Sequence, residues 1–153
     1  MESESNIGEK EKLFDALGGY ETLKRVHKIF YDKVYEHAWL KQFFEGHSQQ
    51  LIEDQQTDFM ALKMGGPKDY CGKEPRYAHL QMYITDEIFE VRHELLRESL
   101  VEAGVHPELI ERWLRIDAAF RRQVVKPSLE AFHAEYTFKK RIIVPKPEGV
   151  ASE

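Results

Sequence analysis

Residues 26–67 read VHKIFYDKVYEHAWLKQFFEGHSQQLIEDQQTDFMALKMGGP, and this stretch decides the fold. Leu23, Val26, His27, Phe30, Tyr31 and Val34 recur at helical spacing and predict a helix over about 20–36. A short aromatic turn follows, with Trp39, Leu40, Phe43 and Phe44 before Gly46. Ser48 is a ready N-cap for a second helix running to about Lys63. Leu51, Ile52, Gln55, Gln56, Phe59 and Leu62 share one side of that helix. A Gln-Gln pair on an otherwise apolar face is unusual. Gly65-Gly66-Pro67 then ends the helical pattern and opens a loop reaching to about residue 75.

Working outward, Leu13, Phe14 and Leu17 predict a short helix over about 11–17, stopped by Gly18-Gly19. A short helix through His79 follows the loop. Thr85 caps a long helix to about Ala103, with Asp86 and Glu87 in its first turn favoured by the helix dipole. Gly104 ends it, and Pro107 starts the last long helix where proline is tolerated. That helix carries Leu109, Ile110, Trp113, Leu114, Phe120 and Val124, and Pro127 ends or kinks it. No strand alternation or internal repeat is visible. The division expected is a flexible leader at 1–10, one domain at 11–127, a partly helical C-terminal extension at 128–142 and a disordered tail at 143–153.

The chain has 153 residues, which fits one domain of the usual 100–200-residue size and supports a core without disulfide staples. Lys and Arg number 22 against 27 Asp and Glu, a net charge of −5. A mildly acidic chain argues against nucleic-acid binding, which rests on neutralising phosphates. No apolar run suits a membrane span, and Met1-Glu-Ser-Glu-Ser has none of the features of a signal peptide. The single cysteine, Cys71, forbids an internal disulfide and reads as a small loop residue. Together these features predict a cytoplasmic protein. Phosphate-loop, nucleophile-elbow and zinc-ligand spacings are missing.

The residues that remain resemble, in order and spacing, those of the truncated haemoglobins, most closely the first group of that family. Leu17-Gly18-Gly19 looks like the glycine pair after the first helix, and Phe30-Tyr31 like the pair that supplies a distal tyrosine. Phe43-Phe44-Glu45-Gly46 is similar to the corner phenylalanines that wedge the haem. Gln56 and Phe59 match the distal glutamine and haem-contacting phenylalanine, and Gly65-Gly66-Pro67 the second glycine motif. His79 falls where the family keeps its proximal iron ligand, and Phe89 where a phenylalanine opens the next helix. The resemblance covers about residues 12–126 and implies an all-α, two-over-two helical sandwich around haem b.

It implies His79 as the metal ligand, since iron needs one strong neutral nitrogen donor and imidazole supplies it. His27, His37, His47, His93, His106 and His133 are read as ordinary surface or core histidines. Tyr31 and Gln56 are the distal donors that steady a diatomic ligand; Gln55 either faces the pocket or orients Tyr31. Phe44, Ile52, Phe59, Ile84 and Phe89 are pocket walls, and Ile52 cannot coordinate iron. Arg76 and Lys73 are either propionate partners or plain surface charge.

The resemblance implies binding of O2, NO and CO, and nitric oxide dioxygenation supported by an external electron-donating reductase. Oxygen transport or storage, O2 or NO sensing and a haem-free globin-fold interaction module stay open as alternatives. One residue departs from the family pattern. Arg92 stands thirteen residues after His79, where the family places an apolar or aromatic residue. It lies twelve residues before Gly104, and Asp117 lies twelve after Val105. Antiparallel packing about that turn therefore predicts an Arg92–Asp117 salt bridge beside the haem, closing an apolar ligand path. The open alternative is that both side chains reach solvent.

Overall fold

The computed structural model describes residues 11–68, 70 and 72–149. The leader at 1–10 and Cys71 therefore lie outside the described residues. Among the described residues eight α-helices run in chain order: α1 (Leu13–Leu17), α2 (Tyr20–Glu36), α3 (Gln49–Lys63), α4 (Pro75–Ala78), α5 (Asp86–Glu102), α6 (Pro107–Ala119), α7 (Arg121–Val124) and α8 (Leu129–Ala134). A 3-10 turn at Leu40–Phe44 joins α2 to α3. The architecture is all-α. Helix α2 packs on α3 and α5, and α5 packs on α6, which gives two helix pairs crossing over a shared core.

The local signals account for most boundaries. The Ser48 hydroxyl accepts the Leu51 N–H at the start of α3, and the Thr85 hydroxyl accepts the Ile88 N–H at the start of α5. Pro107 opens α6, where the His106 ring accepts the Glu108 N–H. Gly104, at φ 80°, supplies the left-handed turn that reverses α5 into α6. Gly66 permits a close approach: a Cβ there would stand 2.7 Å from the Phe14 ring. The α2 stripe is buried as the spacing predicts, with Leu23, Val26, Phe30 and Val34 against the core. Each such side chain contributes roughly 1.5–3 kcal/mol on removal from water.

The last long helix is shorter than its pattern suggests. Phe120, at φ −80° and ψ −8°, donates its N–H to Asp117 O and separates α6 from α7. After Pro127 the chain turns back. The Ser128 hydroxyl caps α8, and Phe132 is buried against the Tyr83 ring at 5.3 Å. Ile142 forms an isolated parallel bridge with Met82. Residues 143–149, for which polar composition predicts disorder, run along the domain. Lys146 pairs with Glu87 at 2.8 Å and stands over the Trp39 ring, and Gln42 donates to Pro145 O at 3.2 Å. These contacts anchor a segment that buries little apolar surface of its own. None of the described helices is long and apolar enough to cross a membrane.

Candidate functional site

Two sets of residues face the core from opposite helix pairs. The first is on α2 and α3. Tyr31 is buried, and its hydroxyl has no hydrogen-bond partner among the described residues. Burial pushes its phenol up to about 12, against the opposing pull of Arg92, so it stays a donor at neutral pH. Phe44 meets the Tyr31 ring edge-on at 6.0 Å. Gln56 is half-buried on α3, and its amide too makes no hydrogen bond within the described chain. Gln55 is exposed, Ile52 half-buried and Phe59 buried. One buried polar contact joins the two helices: His27 Nδ1 and Thr57 Oγ1 lie 2.8 Å apart. Burial, helped by the Arg92 charge, lowers the His27 imidazole to about 3 and keeps it neutral.

The second set starts with His79, the residue that closes α4. Pro75 at the first helical position and a chain too short for a second turn leave His79 on the helix end. Its Nδ1–H donates to Pro75 O at 2.8 Å. That bond commits the tautomer and leaves Nε2 with its lone pair. Burial lowers the imidazole to about 4, outweighing the upward pull of the Pro75 hydrogen bond, so the ring is neutral. Ile84 and Phe89 are buried, and Phe89 stacks on His93 at 6.1 Å.

Arg92 joins the two sets. Its charge acts on both Tyr31 and His79. It lies 5.5 Å over the Phe30 ring and 5.7 Å over the Phe89 ring. Its desolvation is strong, yet 29% of its side-chain surface stays accessible. The guanidinium is packed among aromatic rings and only partly open to solvent. The expected ion pair is present: Arg92 Nη1 donates to Asp117 Oδ2 at 2.8 Å. The sequence reading missed a third member. His93 Nδ1 reaches the same oxygen at 2.7 Å. Burial tends to raise the Asp117 carboxyl, but the Arg92 charge and the hydrogen bonds from His93 and Arg92 outweigh it and hold it at about 2.

The two cations expected at the pocket mouth are both exposed. Arg76 is exposed and pairs with Glu135 at 2.7 Å, just past α8. Lys73 is exposed on the loop, where its carbonyl accepts the Tyr70 hydroxyl at 2.6 Å. Among the described residues no cluster of three His, Cys, Asp or Glu could hold a bare metal ion. One neutral imidazole, two unpartnered donors on the facing helices and aromatic walls instead fit a planar iron macrocycle that brings its own equatorial ligands. Two surface grooves, of about 600 and 220 Å³, include none of Tyr31, Gln56 and His79.

Two helix pairs crossed over a shared core that carries these residues define a globin of the truncated, two-over-two kind. The model of the bacterial-like globin family matches residues 12–126, and the chain belongs to that family. Haem is the cofactor of this class, and diatomic gas binding its common property. The chain is 29% identical over 119 residues to the group 1 truncated haemoglobin of Tetrahymena pyriformis, covering 78% of this chain and 98% of that one. It is 31% identical over 106 residues to the group 1 truncated haemoglobin GlbN of Mycolicibacterium paratuberculosis, covering 69% and 78%. The crystal structure of the Tetrahymena pyriformis truncated haemoglobin in its Fe(III) form superposes with a TM-score of 0.70, at 30% identity, over 76% of this chain and all of that one.

Proposed function

We propose that this chain binds haem b through His79 Nε2 and holds a diatomic ligand, chiefly O2, under the Tyr31 hydroxyl and the Gln56 amide. The observation that carries this reading is His79 itself: a neutral imidazole whose Nδ1–H is committed to Pro75 O and whose Nε2 is left as a lone-pair donor. Phe44, Ile52, Phe59, Ile84 and Phe89 wall the cofactor, and Ile52 leaves the distal side without a competing ligand. Gln55, being exposed, contributes at most by orienting its neighbours. Arg76 and Lys73 stand as propionate partners at the rim, Arg76 by exchanging Glu135 for a propionate.

Ferrous haem, when bound, supplies the coordination site and the one electron with which O2 and NO leave as nitrate. The chain's own residues do the rest. Tyr31 would donate a hydrogen bond to a diatomic ligand held on the distal side, and Gln56 would offer two further N–H donors. Arg92, held by Asp117, blocks an apolar approach between α5 and α6. Turnover as a nitric oxide dioxygenase needs an external reductase to restore the electron. Storage, transport or sensing of O2 uses the same residues without that step.

Absorption spectra of the purified chain in ferric, ferrous and CO-bound forms test the reading. A Soret band that becomes five-coordinate histidine-type on reduction, and is lost or altered in His79→Ala, is expected. A colourless protein would instead favour a haem-free interaction module.

A further inference from the structure

The segment 79–84, directly after His79, belongs to no helix, so its backbone groups need partners from elsewhere. Met82 N–H turns back to His79 O at 3.0 Å. His79 N–H and Leu80 N–H turn back in the same way to Pro75 O at 3.1 Å and Tyr77 O at 3.5 Å, and the segment takes further bonds from the chain after Val124. Lys126 Nζ donates to His79 O at 2.9 Å, to Met82 O at 2.7 Å and to Val124 O at 3.2 Å. The Lys126 backbone N–H donates to Ile84 O at 2.8 Å. Ile142 N–H donates to Gln81 O at 2.7 Å, and Ile142 O accepts Tyr83 N–H at 2.9 Å. The Phe132 ring covers this junction: it packs on Tyr83 at 5.3 Å and lies 5.6 Å from the Lys126 ammonium.

We propose that Lys126 and Ile142 are positioning residues for His79, and that residues 128–146 are a strap forming the outer wall of the haem site. The inference rests on His79 being the iron ligand. The Pro75 bond fixes the imidazole only relative to α4, and α4 is four residues long. A helix of one turn does not hold its own place. The position of the His79 backbone is set by α7, which packs on α4, and by the ties from Lys126 and Ile142. The far end of the strap is pinned by Lys146 to Glu87 and by Gln42 to Pro145 O. The family match ends at Lys126, so the whole strap lies outside the matched part of the chain. A connector whose hydrogen bonds are lent by a distant segment holds the His79 imidazole in place only while that segment is docked.

The test uses the full haem-loaded chain and three substitutions. Lys126→Met keeps the stem and removes the ammonium; Ile142→Pro removes the single N–H given to Gln81; Lys126→Arg restores a cation. The readouts are the iron–histidine stretching band of the ferrous form by resonance Raman and the rate of haem loss to an apomyoglobin scavenger. Loss of an outer-shell partner typically weakens metal binding about 10–100-fold. Lys126→Met and Ile142→Pro are therefore expected to speed haem loss at least about tenfold and to shift or broaden the band, with Lys126→Arg recovering part of both. Leu100→Ala, a core cavity remote from the strap, shows what lost stability alone does, and it should leave the band in place. Unchanged band and haem loss in both variants would overturn the proposal while leaving His79 as ligand. A wild-type chain without an iron–histidine band would defeat the reading of His79 first. Amide exchange at Tyr83 in the unsubstituted chain reads the same tie and decides the matter if a variant fails to fold. Slow exchange supports the strap, and exchange as fast as in an exposed loop overturns it.

Discussion

Removing the Asp117 carboxylate should be among the most costly single changes in this protein. Asp117 is 4% exposed and accepts from both Arg92, at 2.8 Å, and His93, at 2.7 Å. Its carboxyl is held at about 2 instead of the ordinary 3.8. The folded state therefore binds this proton more weakly than the unfolded state. The stability so gained is complete above about pH 4 and is lost as pH falls toward 2. A shift of roughly two units corresponds to about 2–3 kcal/mol. Deletion costs more than protonation, because Arg92 is then left as a desolvated and unpaired charge. Breaking a buried pair costs about 3–5 kcal/mol. Arg92 keeps 29% of its side-chain surface accessible, which places the expected loss for Asp117→Ala near the lower end. Arg92→Met should cost less, since His93 still serves the carboxylate. Urea unfolding followed by the fluorescence of Trp39 and Trp113 measures each variant and the double mutant. The singles should couple by at least about 1.5 kcal/mol. A coupling near zero, or an Asp117→Asn variant with the acid profile of the wild type, would refute the reasoning.

Further outcomes follow from the same geometry. Tyr31→Phe should speed O2 release about ten- to a hundredfold, since a hydrogen bond to a charged acceptor contributes about 1.5–3 kcal/mol; CO release should change much less, and flash photolysis with stopped flow separates the two. Gln56→Leu should act in the same direction with a smaller effect in the same assay. Thr57→Val leaves a buried His27 nitrogen unpaired and should cost about 1–3 kcal/mol in thermal or urea unfolding. His27 is held near 3 in the fold against 6.5 when unfolded, so only the unfolded chain gains this proton between those values. Stability should fall as pH drops from 6.5 toward 3, and a His27→Phe variant that unfolds with the wild-type pH dependence over that range would contradict this.

The readings that succeeded from sequence are those in which the determining interaction is local or follows from simple counting. Helix α2 is legible because Leu23, Val26, Phe30 and Val34 recur with the period of the helix itself, and α3 and α5 because Ser48 and Thr85 cap a backbone three residues away. The Arg92–Asp117 pair was within reach because two antiparallel helices on a tight turn bring residues equidistant from Gly104-Val105 together. Tertiary structure decided the rest. The turn of α5 about its own axis, set by core packing, aims His93 at the oxygen that Arg92 already holds. Arg76 meets Glu135 across 59 residues of chain, and no pattern around either residue announces it. The loops and tail carry the clearest division. Nothing in the composition of 143–149 forecasts an ordered path, because its order comes from Trp39, Gln42 and Glu87, residues that lie far away in sequence. Pro127 foretells only that the last helix must stop. Where the chain goes afterwards depends on unpaired carbonyls of residues 79–84 awaiting donors, which exist only once the helix pairs are assembled.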